Sequence, residues 1–206
     1  MVQLIQAKDI TLAQLSETFH LERTDDENFF REWQDSLPEL SPREKQSLDE
    51  VKSEYLHLSK YPLLEPIVKM VVLSPLLKLA GFYQPPFYLA AEKEVEITSE
   101  DEGMLVRGRI DILVFHPQFW ILVIEAKKAE FSLEAATPQA LAYMLASPNT
   151  EKPAFGFVTN GNEFQFLKLT KQTEPRYARS YPLSIYRGDD LYKTVGGLKR
   201  LAELVV

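Results

Sequence analysis

The sequence predicts an α/β (α+β) protein, a mixed sheet with an antiparallel meander flanked by helices, preceded by a helical N-terminal stretch. Three observations lead there. The first sixty residues are acidic and nearly free of glycine, with apolar residues at helical spacing; from Phe87 the spacing changes to two; and the last eighteen residues return to an amphipathic helical pattern.

In chain order, DENFFREW (26–33) and the run from Ser41 to Leu58 are the clearest helical segments of the opening. Ser41-Pro42 is a good start signal, because a serine side chain caps free amides and proline at the first helical position gives up no hydrogen bond. Residues 1–60 are therefore expected as a helical appendage and residues 61–206 as the main domain. Between Pro62 and Gly81, Ile67, Val68, Val71 and Val72 recur at helical spacing, which predicts one long buried helix with Gly81 as its stop. Pro75 lacks an amide proton, so a break into two pieces is foreseen there. YLAAEKEVEI, MLVRGRIDILVF and WILVIEAKK then read as three antiparallel strands joined by the turns TSEDEG and HPQF. Thr137-Pro138 is the expected start of the next helix, and FGFVTNGNEFQFLKL a hairpin turning at Asn160-Gly161. The segment DDLYKTVGGLKRLAELVV closes the pattern as a helix despite Gly196 and Gly197.

Composition narrows the classes of function. There is no cysteine, which excludes a disulfide framework and a cysteine-ligated metal, and suits a reducing cytoplasm. No signal-like or membrane-spanning apolar run is seen, so a cytoplasmic protein that is not exported is expected. The net charge of −7 argues against holding nucleic acid by a broad basic field. The imbalance is regional: residues 1–150 carry 14 Lys+Arg against 24 Asp+Glu, and residues 151–206 carry 9 against 6. Lys168, Lys171, Arg176, Arg179 and Arg187 thus read either as the part best suited to face phosphate or as ordinary solvated surface. His20, His57 and His116 are too scattered to suggest a metal cluster, and no GxxxxGKS/T phosphate loop is present.

The chemistry concentrates in the meander. Asp111 interrupts an apolar strand, and Glu125 and Lys127 follow the run WILVI at the end of the next. Residues two apart on a strand point to the same face, where an acid can hold a hard cation while an ammonium orients a water or a phosphoryl oxygen. Pairing 111 with 125 also pairs 109 with 127, 113 with 123 and 115 with 121. It leaves Ile110, Ile112 and Val114 with Leu122 and Ile124 on a wholly apolar face. A shift by one residue mixes charged with buried positions, which burial energetics oppose. Arg107 and Arg109 are further candidates for contact with phosphate, with solvated strand-edge arginines as the equal alternative.

The strand-borne Asp111, the ExK written Glu125-Ala126-Lys127, and Gln139-x-x-x-Tyr143 on the following helix resemble the PD-(D/E)xK nuclease superfamily. The resemblance is nearest to the nuclease domain at the start of type I restriction enzyme R subunits, in which an acid on a preceding helix is followed ten residues later by PLL. Glu65 stands at that distance from Pro75-Leu76-Leu77, and the VTNG hairpin is also similar. The proline that precedes the first acid in that family is replaced by Ile110. The resemblance covers about residues 62–170. It implies a restriction-endonuclease-like fold, Mg²⁺ (with Mn²⁺ as a substitute) bound by Glu65, Asp111 and Glu125, a catalytic Lys127, and Gln139 and Tyr143 supporting or touching the scissile strand. DNA is the implied partner, in restriction, defence or DNA processing. Without a phosphate loop in the chain, any motor or specificity function is expected from a separate protein. Two other readings stand beside the nuclease: a catalytically silent nuclease-fold module that binds or regulates, and an interaction protein whose acidic beginning holds a partner.

Overall fold

The computed structural model describes residues 3–98, 103–116, 119–172 and 174–204. Strand β1 (Gln3–Gln6) leads through a single 3-10 turn into helix α1 (Leu12–Phe19). Thr11 caps that helix: its hydroxyl accepts from the Gln14 amide, and the Gln14 side chain accepts from the Thr11 amide. Strand β2 (Glu22–Arg23) follows. DENFFREW, expected as helix, forms turns instead. The capping chemistry at 41–44 works as predicted, since α2 (Pro42–Leu58) begins with Ser41 as cap and gains Glu44 as reciprocal partner.

The stretch expected as one helix is a continuous helical run in three pieces: α3 (Glu65–Val68), a π turn (Lys69–Leu73) and α4 (Ser74–Leu79). Pro75 sits in the first turn of α4, and the wide turn just before it absorbs the missing amide without breaking the axis. The run stops where predicted. Gly81 takes φ +87°, and the Phe82 amide reaches back to the Leu77 carbonyl at 3.1 Å.

The remaining elements are β3 (Tyr88–Thr98), β4 (Met104–His116), β5 (Phe119–Ala126), α5 (Leu133–Leu145), β6 (Ala154–Thr159), β7 (Glu163–Thr170), β8 (Arg176–Arg179), β9 (Leu183–Ser184) and α6 (Asp190–Glu203). Strands β3, β4 and β5 form the predicted antiparallel meander, and β6 and β7 the predicted hairpin, with Gly161 at φ +90°. The tips of the TSEDEG and HPQF turns lie outside the described residues. Helix α5 starts earlier than Thr137-Pro138. Ser132 caps it through the Glu134 amide, and Thr137 instead donates to the Leu133 carbonyl at 2.9 Å inside the helix. Local start signals lose here to burial, because nearly every residue from Ala136 to Met144 is buried.

Among the described residues nine strands make one sheet, joined in the order β1-β4-β5-β6-β7-β8-β2, with β3 on β4 and β9 on β7. Helix α2, the α3–α4 run and α6 cover one face through Tyr55, Val72, Leu76, Leu77 and Leu198. Helices α1 and α5 cover the other through Leu15, Ala140, Leu141 and Met144. Residues 1–60, expected as a helical appendage, contribute to the same sheet and core. They pair β1 with β4 and β2 with β8, both parallel, and α2 puts Leu48, Val51 and Tyr55 into the core. Two and four polar-rich residues are too few to show a strand period, which is why these strands are invisible to pattern reading.

Candidate active site

Strand β3 pairs with residues 105–115 of β4, so β1 and β5 must share the opposite edge of β4 end to end: β1 on 104–107 and β5 on 112–116. Between them residues 108–111 have no strand neighbour on that edge among the described residues. Tyr143 of α5 fills the gap. A Cβ on Gly108 would lie 2.6 Å from the Tyr143 hydroxyl and 2.7 Å from the Ala7 Cβ, so only glycine admits the phenol there.

The fork coincides with a slip in the pleat. On β4, Val106, Ile110 and Leu113 pack on the α5 side, whereas Ile112 and Val114 pack on the other. On β3, Ala90 shares the α5 side with Val95 and Ile97. Both strands change phase around the facing residues Asp111 and Glu92, and Glu92 has the left-handed φ of +53°. Ile110 thus leaves the apolar face on which the alternation put it. The β4–β5 register itself is the predicted one for 112–124, 113–123 and 114–122, and its continuation sets Asp111 opposite Glu125. A bulge after Val114 then pairs Phe115 with Trp120, correcting the expected partner Ile121.

These features gather the predicted residues. Asp111 Oδ2 accepts the Ala126 amide at 2.8 Å, locking the first acid to the ExK strand end. Lys127 Nζ donates to Glu125 Oε1 at 2.6 Å and to Gln139 Oε1 at 2.8 Å, and Gln139 Nε2 donates to the Tyr143 hydroxyl at 2.9 Å. The Lys127 amide is tied to the Thr159 carbonyl at 2.8 Å, and Asn160 of the VTNG hairpin donates to the Phe131 carbonyl. The hairpin thus steadies the strand end that carries the lysine. Glu65 Oε1 lies 2.7 Å from Lys69 Nζ, which also donates to Asp111 Oδ1 at 2.7 Å, so Glu65 reaches the same cleft through a lysine.

The electrostatics follow from burial. The Glu125 side chain is 2% exposed, and its Oε2 is buried without a hydrogen-bond partner. Burial and the neighbouring Asp111 push its carboxyl from 4.5 up to about 8, although Lys127 pulls it down. Burial also raises Asp111, against the Lys69 ammonium and the Ala126 amide. Burial works to lower Lys69, but Asp111 and Glu65 outweigh it and hold the ammonium charged. Burial lifts Tyr143 to about 12.

Sequence reasoning missed Lys69 and Glu92. The available signal for Lys69 was its place one helical turn after Glu65; for Glu92 there was none, because its left-handed backbone is a tertiary outcome. Other expected residues lie elsewhere. Arg107 and Arg109 make exposed cross-strand pairs with Glu96 and Glu94. In the basic C-terminal part, Lys168 is held by Glu32, Lys171 by the Leu145 and Ser147 carbonyls, Arg179 by Glu134 and Arg187 by Asp190. Among the described residues no three His, Asp or Glu side chains stand ready to hold a metal ion, and the Lys69 ammonium lies between Glu65 and Asp111. No helix among them is long and apolar enough to cross a membrane.

Among solved structures, a fragment of a putative HsdR subunit of a type I restriction enzyme from Vibrio vulnificus YJ016 is similar, with a TM-score of 0.41 and 24% sequence identity. The match covers 66% of this chain and 26% of that one, so this chain spans about a quarter of the longer protein. Comparison with curated protein sequences yields no match. Residues 17–175 match the family described as type I restriction enzyme R protein N terminus. That span takes in the helix bearing Glu65, the whole meander, α5 and the VTNG hairpin, and the chain belongs to this family.

Proposed function

We propose that this protein is a Mg²⁺-dependent nuclease that hydrolyses DNA phosphodiester bonds in the cleft formed by Asp111, Glu125 and Lys127. The observation that carries the reading is the buried, unpartnered Oε2 of Glu125 beside Asp111. An oxygen in that state lacks a cation or a donor, and an all-oxygen set of carboxylates suits a hard divalent ion. Asp111 and Glu125 would hold Mg²⁺ or Mn²⁺, with Glu65 completing the set. When bound, the ion supplies charge neutralisation for the scissile phosphate and eases deprotonation of the attacking water.

The protein's own groups divide the rest of the work. Lys127 has its ammonium fixed by Glu125 and Gln139, which aims its remaining proton at a phosphoryl oxygen gaining charge as the water oxygen bonds to phosphorus and the ester oxygen leaves. Gln139 positions that lysine, and Tyr143 positions Gln139. DNA would lie across the edge where β4 forks. Motor and specificity functions would come from a separate protein.

A second reading, a catalytically silent module, draws on one observation: Lys69 forms ion pairs with both Asp111 and Glu65, taking up two of the three acids. Incubation of the purified chain with supercoiled, linear and single-stranded DNA in Mg²⁺ or Mn²⁺ separates the two. Cleavage by the wild type that is lost in Asp111→Asn and Lys127→Ala supports the nuclease. No cleavage of any of the three substrates refutes it in favour of the silent module.

A further inference from the structure

We propose that Lys69 is a tethered counter-ion occupying the cation position between Glu65 and Asp111, and that it must withdraw onto Glu92 when a divalent ion binds. The inference rests on the metal-dependent reading above and adds a residue that controls access to the metal position.

Three features support it. The Lys69 ammonium bridges two carboxylates from different elements, at 2.7 Å to Glu65 on α3 and 2.7 Å to Asp111 on β4. It does what a shared cation does: it joins two acids that would otherwise repel across the cleft. Its backbone opens the π turn of Lys69–Leu73, a local widening of the kind found often where a helix serves a site rather than its own regularity. A third acid waits alongside. Glu92 Oε1 is 3.9 Å from the same ammonium and more than half exposed, on a residue whose left-handed backbone interrupts the β3 ladder opposite Asp111. A small rotation of the lysine toward solvent exchanges Asp111 for Glu92 and keeps the charge paired.

The unpartnered Glu125 Oε2 is an independent observation that the occupancy is incomplete. Lys69 serves Asp111 and Glu65, Lys127 serves the other oxygen of Glu125, and the innermost oxygen is left bare. One ammonium carries a single charge and cannot satisfy all three acids, whereas a divalent ion seated between them can. Metal and Lys69 therefore compete for Asp111 and Glu65. The free protein stays assembled without metal, at the cost of weaker metal binding.

The test uses the full chain and Mn²⁺ alone, titrated calorimetrically, with thermal melts in chelator as the second readout. Lys69→Met should melt lower than wild type without metal, yet bind Mn²⁺ about tenfold tighter, a coupling of ordinary size between linked sites. Lys69→Gln gives the same comparison if the methionine variant does not fold. Lys69→Arg, which keeps the charge, should show no such gain. Glu92→Gln should weaken Mn²⁺ binding when Lys69 is present and have no effect in the Lys69→Met background, a dependence that a merely structural lysine would not produce. If Mn²⁺ binds wild type and Lys69→Met equally, or Lys69→Met more weakly, while Asp111→Asn abolishes binding, the tethered-cation role is overturned and the metal site stands. If neither wild type nor any Lys69 variant binds Mn²⁺, both are overturned.

Discussion

Replacing Glu125 with glutamine should make the metal-free protein more stable, and only at the alkaline end of its pH range. Glu125 is pushed from 4.5 up to about 8 by burial and by Asp111, so the folded protein holds this proton over a range where the unfolded chain has released it. Because the folded value is the raised one, the stabilisation is fully present below pH 4.5, declines as pH rises, and is gone once pH passes about 8. The rise from 4.5 to about 8, at about 1.4 kcal/mol per pH unit, sets a ceiling of about 5 kcal/mol. Glutamine removes that penalty but also takes the partner carboxylate from Lys127, so about half the ceiling, on the order of 2 kcal/mol, is the net expectation. For a domain of this size that is a rise in Tm of roughly 5 °C. Thermal melts of both proteins in chelator from pH 5 to pH 9 measure it. The gap should be near its maximum above pH 8 and close within experimental error toward pH 5. A gap independent of pH, or a Glu125→Gln variant less stable than wild type at pH 9, would refute the burial argument.

Saturating Mg²⁺ or Mn²⁺ should stabilise the wild type by about 3 kcal/mol at a hundredfold excess over Kd, and Asp111→Asn should abolish that response, as read by differential scanning calorimetry. Lys127→Ala should keep the metal-induced rise in Tm while losing about 100-fold or more in cleavage rate, because the lysine acts on developing charge rather than on the ion. Gly108→Ala should cost about 2 kcal/mol in urea denaturation, since the new methyl meets both the Tyr143 hydroxyl and the Ala7 Cβ. Adding Tyr143→Phe should recover part of that loss, and strict additivity of the two changes would show that they are not in contact.

The meander register was legible because only one pairing separates charged from apolar residues, and that same logic brings Asp111 to Glu125. Ser41, Pro42, Gly81 and Asn160-Gly161 were legible for another reason: each carries local backbone chemistry that acts regardless of surroundings. The misses share a cause. Strict alternation put Ile110 on the wrong face because nothing in GRIDIL announces that the pleat slips at Asp111, a consequence of β1, β5 and Tyr143 meeting on one edge. Thr137-Pro138 has the chemistry of a helix start, but Ser132 caps the helix first and burial carries it through the proline. Spacing places Lys69 one helical turn after Glu65 but goes no further; its role depends on Asp111, a β4 residue far along the chain, and no spacing rule reaches that distance.

The two small strands of the N-terminal segment also set the order in which this molecule can complete itself. Gln3 pairs with Met104, and Arg23 pairs with Tyr177, so an early-made part of the chain waits for partners made much later. Contacts of such long range are slow to close, and until they form β8 offers an open edge to any other strand it meets. The meander and the β6–β7 hairpin can assemble from neighbouring sequence, carrying Asp111, Glu125 and Lys127 with them. The parallel pairings of the N-terminal segment, β1 on β4 and β2 on β8, are thus the long-range closures on which a complete sheet depends.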